Sequence, residues 1–467
     1  MRGTGTSKER KAIWIRATGE ITVYADNKQT YSTDAFVALP VDILGREYYA
    51  ITYKTHPEIM IVGIEDETNV IITFPIGATL PISVFYKGIT YGDGETMTIS
   101  LNRFDTFHIN QVSTNADFTG SHIVSNKPIA VFCGNYKITV PLSSGSSDHL
   151  AAQMTSLDTW GMTFSFVSTP SRGVGDLCRV LASEDNTTVT VSGMSPQMIA
   201  LAGDFLELDF ATDDFKTIAA DKPVLVAAFS KTYQNDGFQL GGDPSMSLVV
   251  PNRQFGSDYT FSTVETPSGE FYNYLTVTIE DVRKSGLRID DAELGAIAWK
   301  GIPDSGGMVA GTLTFEPGAH NIYHVDPTVV FMAMASGVAQ LNSYKYAAGM
   351  RLAHINTVCS TTTPVAGDII DNDCDGKIDE ETNNGNISDD DGDGLIDEDL
   401  AMPPRSDGSW GEWQSWGTCS LTCGIISGLS TRIRNCDNPA PVNNGLYCAG
   451  NGTENQTCVP STANCPS

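Results

Sequence analysis

The sequence predicts a mainly β chain: three repeated β-sandwich-like units, an acidic metal-binding linker, and a small disulfide-rich module at the end. Three observations carry this. From residue 12 to about 350, short runs rich in Val, Ile, Thr, Tyr and Phe are punctuated by Gly, Asn, Asp and Pro, with no sustained helical period. The stretch Asp368 to Asp399 holds fourteen carboxylates, one lysine and one cysteine. Six of the ten cysteines fall between Cys419 and Cys465. The boundaries that follow are a β block over 1–350, a linker over 351–367, a double metal loop over 368–400, a second linker over 401–408, and the module over 409–467.

The β block repeats internally. "AIWIRATGEITVYA" returns as "SHIVSNKPIAVFCG", "KTIAADKPVLVAAF" and "NIYHVDPTVVFMAM", at intervals of about 95 to 110 residues. Between copies a glycine precedes an aromatic by three places: Gly45 with Tyr48, Gly161 with Phe164, Gly256 with Tyr259. Acidic hexads follow, "EDETNV" from Glu65, "EDNTTV" from Glu184 and a degenerate "EDVRKS" from Glu280, and these read as turns. Three ordered landmarks repeated three times give three units of sandwich size. Four copies of the first motif for three units imply a shared or exchanged closing strand, and hence one rigid block. The alternative is that the glycine-aromatic pairs are hairpin geometry common to β proteins.

The stretches "STDAFVALPVDILGREYYAITY", "GSHIVSNKPIAVFCGN", "DHLAAQMTSLDTWGMTFSFVS", "RVLASEDNTTVTV" and "GDPSMSLVVPNRQFGSDYTFST" resemble the N-terminal domain of the IgG Fc-binding protein family, over about residues 12–350. The resemblance implies a secreted, β-rich binding or assembly module without known catalysis, and it transfers no binding residue. Cys133 and Cys178 each lie at or beside an expected strand of the central repeat, so a disulfide between them is expected; two buried free thiols are the alternative.

In the acidic stretch, Asp371, Asp373, Asp375, Gly376 and Asp379 stand at positions 1, 3, 5, 6 and 9 of a calcium loop. Asp389, Asp391, Asp393, Gly394 and Asp397 repeat the pattern eighteen residues later. Alternating oxygen ligands wrap a hard cation, the glycine permits the sharp turn, and the carbonyls of Lys377 and Leu395 occupy position 7. Ile378 and Ile396 are placed to pack one loop on the other. Position 12 holds Thr382 and Leu400 rather than the bidentate glutamate of an EF-hand, so the loops resemble thrombospondin type 3 repeats more closely. Calcium is the expected cofactor, against the alternative of a solvated acidic spacer. Cys374 is expected to pair with Cys359 and to pin the first loop to the β block.

The tail, "WGEWQSWGTCSLTCG" followed by "STRIRNCDNPAPVNNGLYCAGNGTENQTC", resembles a thrombospondin type 1 repeat over 409–467. Trp410, Trp413 and Trp416 are spaced by three, as in an irregular extended chain, whereas Arg432 and Arg434 are spaced by two and share one face of a strand. Guanidinium planes between indoles make a stack, each contact worth roughly 0.5 to 2 kcal/mol. Ser430 stands where a third stacking residue would sit, which shortens the ladder. Six cysteines alone permit fifteen pairings. The resemblance implies Cys419 with Cys458, Cys423 with Cys465, and Cys436 with Cys448. It also implies O-linked fucose on Thr422 and C-mannosylation of Trp410 and Trp413.

A formal charge of −28 argues against nucleic-acid binding. The disulfide-rich tail and the sequons at Asn186, Asn386, Asn451 and Asn455 point to an oxidising, extracellular compartment. The start of the chain has no apolar core of signal length and no run reaches the ~20 residues of a membrane span, so the secretory signal is expected to be missing from this chain or to lie upstream of it. Asp148 and His149 lie near serines, but no nucleophile elbow, phosphate loop or HExxH helix accompanies them. They read as polar loop residues, the scattered histidines as structural, and the chain as a non-enzyme. The expected function is a secreted calcium-binding adhesive or matrix glycoprotein that self-associates into an extracellular homo-oligomer or filament; the alternative is a monomeric recognition protein for glycans or proteins.

Overall fold

The structure, a computed structural model, describes residues 5–19, 21–29, 32–77, 80–111, 115–142, 145, 147–232, 242–264, 271–353, 355–356, 409–423, 427–439, 448 and 451–460. The chain divides into two compact units, one comprising essentially residues 1–359 and the other carrying 409–467. Among the described residues there is no α-helix, only strands and three single 3-10 turns. The β class is as the sequence predicts.

Strands form where apolar residues alternate. In Pro57–Gly63 ("PEIMIVG") Ile59 and Ile61 are fully buried while Glu58 and Met60 are half-buried, and Thr96–Leu101 alternates exposed with buried throughout. The first part of the block holds a five-stranded and a four-stranded antiparallel sheet, with Ile129–Ile138 inside one and His122–Ser125 inside the other. Tyr48, Ile59, Ile72, Phe107, Ile123 and Val131, from both sheets, share one core. The last part repeats this scheme, with Phe261, Leu275, Ile322 and Ala333 in a core between a four- and a five-stranded sheet.

The middle part differs. Phe215–Ser230 runs unbroken for sixteen residues and joins both layers into one seven-stranded sheet. Its first half pairs with Gly161–Val167 and Thr187–Val191, its second with Asp176–Ala182 and Met246–Leu248.

The repeated landmarks have physical roles. Gly45 donates its N–H to Tyr48 Oη at 2.9 Å, and that hydroxyl donates to the carbonyl of Ile129 at 2.8 Å. Gly256, Tyr259 and Phe331 repeat both bonds at 2.6 Å. Phe164 has no hydroxyl, and there Gly161 is paired opposite Val224 instead. Glycine is required at two of these positions because a Cβ would lie 2.5 Å from Ser156 Cβ at Gly45 and 2.4 Å from Pro251 Cβ at Gly161. The acidic hexads are turns: Thr68 Oγ1 donates to Glu65 O at 2.8 Å and Thr187 Oγ1 to Glu184 O at 2.6 Å, with Glu67 and Asn186 at positive φ.

Two expectations are corrected. Cys133 and Cys178 are free and buried. Cys133 belongs to the first core, while Cys178 shares a strand face with Val180 and Ala182 in the middle core. Its strand neighbours Leu177 and Leu181 face the first core, so the sheet itself stands between the two thiols. The first copy of the repeated motif is also not a strand over 12–19; Tyr24–Gln29 is the part that pairs, in a hairpin with Ser32–Val37. Tyr24 and Ala35 of that hairpin pack into the last core, and Tyr24 Oη donates to the carbonyl of Ala348 at 2.7 Å. The N-terminal hairpin therefore contributes to the last core.

Candidate functional site

Two built sites stand out, one in each compact unit. The first is a buried carboxylate junction in the β block. Asp34, Asp148 and Asp243 are each 0% exposed. Asp34 stands eleven residues before Gly45, and Asp148 and Asp243 stand thirteen before Gly161 and Gly256, so each repeat supplies one. Asp34 accepts N–H bonds from Ala151 at 3.1 Å and Met246 at 3.2 Å, each three residues past the aspartate of another repeat. Asp148 in turn accepts from Thr33 N–H at 3.2 Å and from Ser32 Oγ. The side chain of Thr33 reaches Asn342 Oδ1 at 3.0 Å, which brings in the last hairpin.

Burial raises the Asp34 carboxyl well above its usual range, with Asp148 adding to the effect. Burial, reinforced by Asp243, pushes Asp148 up to about 8 although Ser32 and two backbone N–H groups oppose it. Beside it, burial lowers His149. Arg172, also 0% exposed, donates to the carbonyls of Asp243 at 3.2 Å and Gly242 at 2.9 Å and to Ser343 Oγ at 2.9 Å. Asp148, buried, and His149, half-buried, are thus strand residues and not loop residues, and they tie repeats together. The signal that reveals the set in the sequence is an aspartate recurring eleven to thirteen residues before each repeated glycine.

The histidines are accounted for by neighbours: His122 Nε2 lies 2.7 Å from Glu47, His320 Nδ1 2.7 Å from Asp290, and His324 between the carbonyls of Asp326 and Arg283, both at 2.9 Å. His108 lies 3.5 Å from Glu58. His56 has its ring 3.3 Å from Thr55 Oγ1, and His354 lies outside the described residues.

The second site is the tryptophan–arginine ladder. Arg432 has its guanidinium carbon 4.8 Å from the ring centroid of Trp413 and 4.6 Å from that of Trp416. Arg434 lies 4.4 Å from both Trp410 and Trp413. The order is therefore Trp416, Arg432, Trp413, Arg434, Trp410. Both arginines project from one face of Gly428–Ile433 and its extension, the strand being paired with Thr453–Cys458. Arg432 Nε also donates to Glu454 at 2.7 Å, and Arg434 to the Asn451 carbonyl at 3.2 Å. Ser430 does not stack: it is buried and bonds to the Gly417 carbonyl at 2.5 Å. Disulfides Cys419–Cys458 and Cys436–Cys448 are as expected. Cys423 is disulfide-bonded too, its expected partner Cys465 lying outside the described residues.

A family model described as IgGFc binding protein matches residues 34–337. The chain belongs to the IgGFc-binding family. The matched span starts at the first junction aspartate and ends in the last central strand. A second model, the thrombospondin type 1 domain, matches residues 411–465, the ladder module. The IgGFc-binding protein of Homo sapiens is 22% identical over 308 residues, covering 64% of this chain and 5% of that relative. The ladder module is 50% identical over 54 residues to thrombospondin-1 of Xenopus laevis, covering 12% of this chain and 4% of the relative. It is 47% identical over 60 residues to the disintegrin and metalloproteinase with thrombospondin motifs gon-1 of Caenorhabditis elegans, covering 13% of this chain and 3% of the relative. The chain thus spans only a few per cent of the length of these curated relatives.

Thr422, Asn186, Asn451 and Asn455 are exposed, and Asn455 Oδ1 accepts from Thr431 at 2.6 Å. Asn386, Cys359, Cys374 and all the expected calcium ligands from Asp371 to Asp397 lie outside the described residues. Among the described residues no helix is long and apolar enough to cross a membrane.

Proposed function

We propose that this chain is an extracellular adhesive or matrix protein that self-associates, with calcium setting the joint between its two modules. The observation that carries the reading is the combination in one chain of an IgGFc-binding region, knitted together by buried aspartates, with a ladder-bearing thrombospondin type 1 module. Both parts are built to hold a surface rigid, and the junction carboxylates are sealed from substrate, which favours binding over catalysis. The loops at Asp371, Asp373, Asp375, Lys377 and Asp379, and at Asp389, Asp391, Asp393, Leu395 and Asp397, carry the calcium-ligand spacing. Without metal their carboxylates repel one another; with it the linker stiffens. If a loop binds at roughly 10 μM and its surroundings hold roughly 1 mM calcium, occupancy favours the ordered joint by about 2.7 kcal/mol.

The exposed sequons and Thr422 are offered to glycosylation, and Trp410 and Trp413 to C-mannosylation. The partners are other extracellular proteins or glycans, and further copies of the chain. Static light scattering of the purified chain tests the reading: a mass that rises with millimolar calcium supports an assembling subunit, and a single monomer mass with calcium and with chelator favours a monomeric recognition protein.

A further inference from the structure

The strand pair of the thrombospondin type 1 module has two unlike faces. Facing residues of an antiparallel pair share a side, and every second residue along each strand joins them. Ser430 and Arg432 stand opposite Gln456 and Glu454, on the side that carries the tryptophan–arginine ladder. The other side is made of Leu429, Thr431 and Ile433 on one strand, opposite Thr457, Asn455 and Thr453 on its partner. All six of these residues are exposed, Leu429 by 53% and Ile433 by 43%. Two large apolar side chains are therefore presented on an open sheet face.

Asn455 stands at the centre of that face. It is directly opposite Thr431, so Leu429 and Ile433 are its two diagonal neighbours, each about 7 to 8 Å away. It is also the acceptor asparagine of the sequon Asn455-Gln456-Thr457. Thr431 Oγ1 donates to Asn455 Oδ1 at 2.6 Å, which orients the amide and leaves Nδ2 for a sugar. N-glycosylation replaces one hydrogen on Nδ2 by the anomeric carbon of N-acetylglucosamine, so Oδ1 and its bond from Thr431 are untouched. A pyranose ring presents a side of C–H groups between its hydroxyls. That side matches the butyl groups of Leu429 and Ile433, while the outer hydroxyls stay in water.

We propose that the sugars nearest the protein in an N-linked glycan on Asn455 fold back over Leu429 and Ile433, so that this face of the module is an internal carbohydrate-binding surface. The inference rests on the reading that the exposed sequons are glycosylated, and it gives the glycan at one of them a seat. The size of the face favours this occupant over a second copy of the chain. At about 3.4 Å per residue and about 4.8 Å between strands the pair offers on the order of 200 Å². A stable protein interface needs about 800 Å² from each partner. A sugar tethered beside the face is held at roughly millimolar effective concentration or higher, so a contact of small area suffices. The glycan thereby closes this side of the module to protein partners.

The test uses the full chain secreted from a eukaryotic cell, with occupancy of Asn455 read from the mass of its peptide. Hydroxyl-radical footprinting follows oxidation of Leu429 and Ile433 in three forms: the parent, the parent stripped of glycan by an amidase, and Asn455→Gln. Oxidation of both residues is expected to be slower in the parent than in the other two forms by roughly threefold or more, the glycan being a bulky surface cover. Val282, 82% exposed in the β block, serves as the unchanged reference. Asn451→Gln removes the neighbouring sequon outside the strand pair and should keep the parent's slow rates. Equal oxidation in all forms with Asn455 occupied overturns the inference and leaves the glycosylation reading standing. So does slowing lost in Asn451→Gln and kept in Asn455→Gln. An unglycosylated Asn455 overturns both. Slowing in Asn455→Gln that grows with protein concentration assigns the face to a second copy of the chain, and that too overturns the inference.

Discussion

Replacing Asp148 by asparagine should flatten the pH dependence of the β block's stability. The carboxyl of Asp148 is held up to about 8, first by burial and then by Asp243, against an ordinary value of 3.8. A raised acid keeps its proton in the folded state while the unfolded chain ionises. Its contribution is therefore fully present below about pH 4 and is lost as pH rises through about 8. At 1.36 kcal/mol per pH unit, the loss across that window is on the order of 5 kcal/mol. With an unfolding entropy of about 2.1 cal/mol/K per residue over roughly 350 residues, this corresponds to about 7 °C in the midpoint.

The asparagine side chain has no proton to lose. It does place an amide where Ser32 Oγ, Thr33 N–H and His149 N–H now converge, a pH-independent cost of about 1 to 3 kcal/mol. The slope is thus the observable, and the midpoint at a single pH is not. Asp34, which is raised by the same burial, remains in the variant and leaves a residual slope. Calorimetric midpoints from pH 4 to 8.5 should fall for the parent and fall much less for Asp148→Asn. Parallel curves would refute the claim that the junction holds a protonated carboxyl.

Other outcomes follow from the same geometry. Arg432→Ala removes two indole contacts and should cost the ladder module about 1 to 3 kcal/mol, read by its thermal midpoint; the exposed pair with Glu454 adds little. Breaking Cys436–Cys448, which spans 12 residues, should cost about 3 kcal/mol and Cys419–Cys458, which spans 39, about 4, as chemical denaturation of Cys-to-Ser pairs would measure. Native protein without reductant should show no rapid labelling of Cys133 or Cys178, because burial pushes Cys133 up to about 12 and raises Cys178 further; denatured protein should show both of these thiols by peptide mapping. Zero thiols after denaturation would contradict the separation of the two cores. The ladder module should not be retained on heparin at physiological salt, since Arg432 and Arg434 are the only cations in 409–467 and both are stacked; retention would contradict that assignment.

Much of this molecule is legible from local pattern. Alternating burial in Pro57–Gly63, the turn after Glu65 and the interleaving of Arg432 between Trp413 and Trp416 depend on residues close in sequence or on a period of two. The junction was not legible by that route. A buried carboxylate satisfied by N–H groups more than a hundred residues away leaves no local trace, and Asp34 is marked only by its offset from Gly45. The mistaken Cys133–Cys178 pairing has a related cause. Both residues sit in strands, but which face each presents is decided by which core the neighbouring unit builds. Residues 12–16 show the limit from the other side, where a strand sequence without flanking strands remains a surface segment.

The central claim joins calcium to assembly, and the most direct measurement is sedimentation velocity of the parent and of the double variant Asp371→Ala with Asp389→Ala, each in millimolar calcium and in chelator. The account predicts that the parent sediments as a larger species only with calcium, and that the double variant stays at the chelated value in both. Identical sedimentation of parent and variant under both conditions would contradict it.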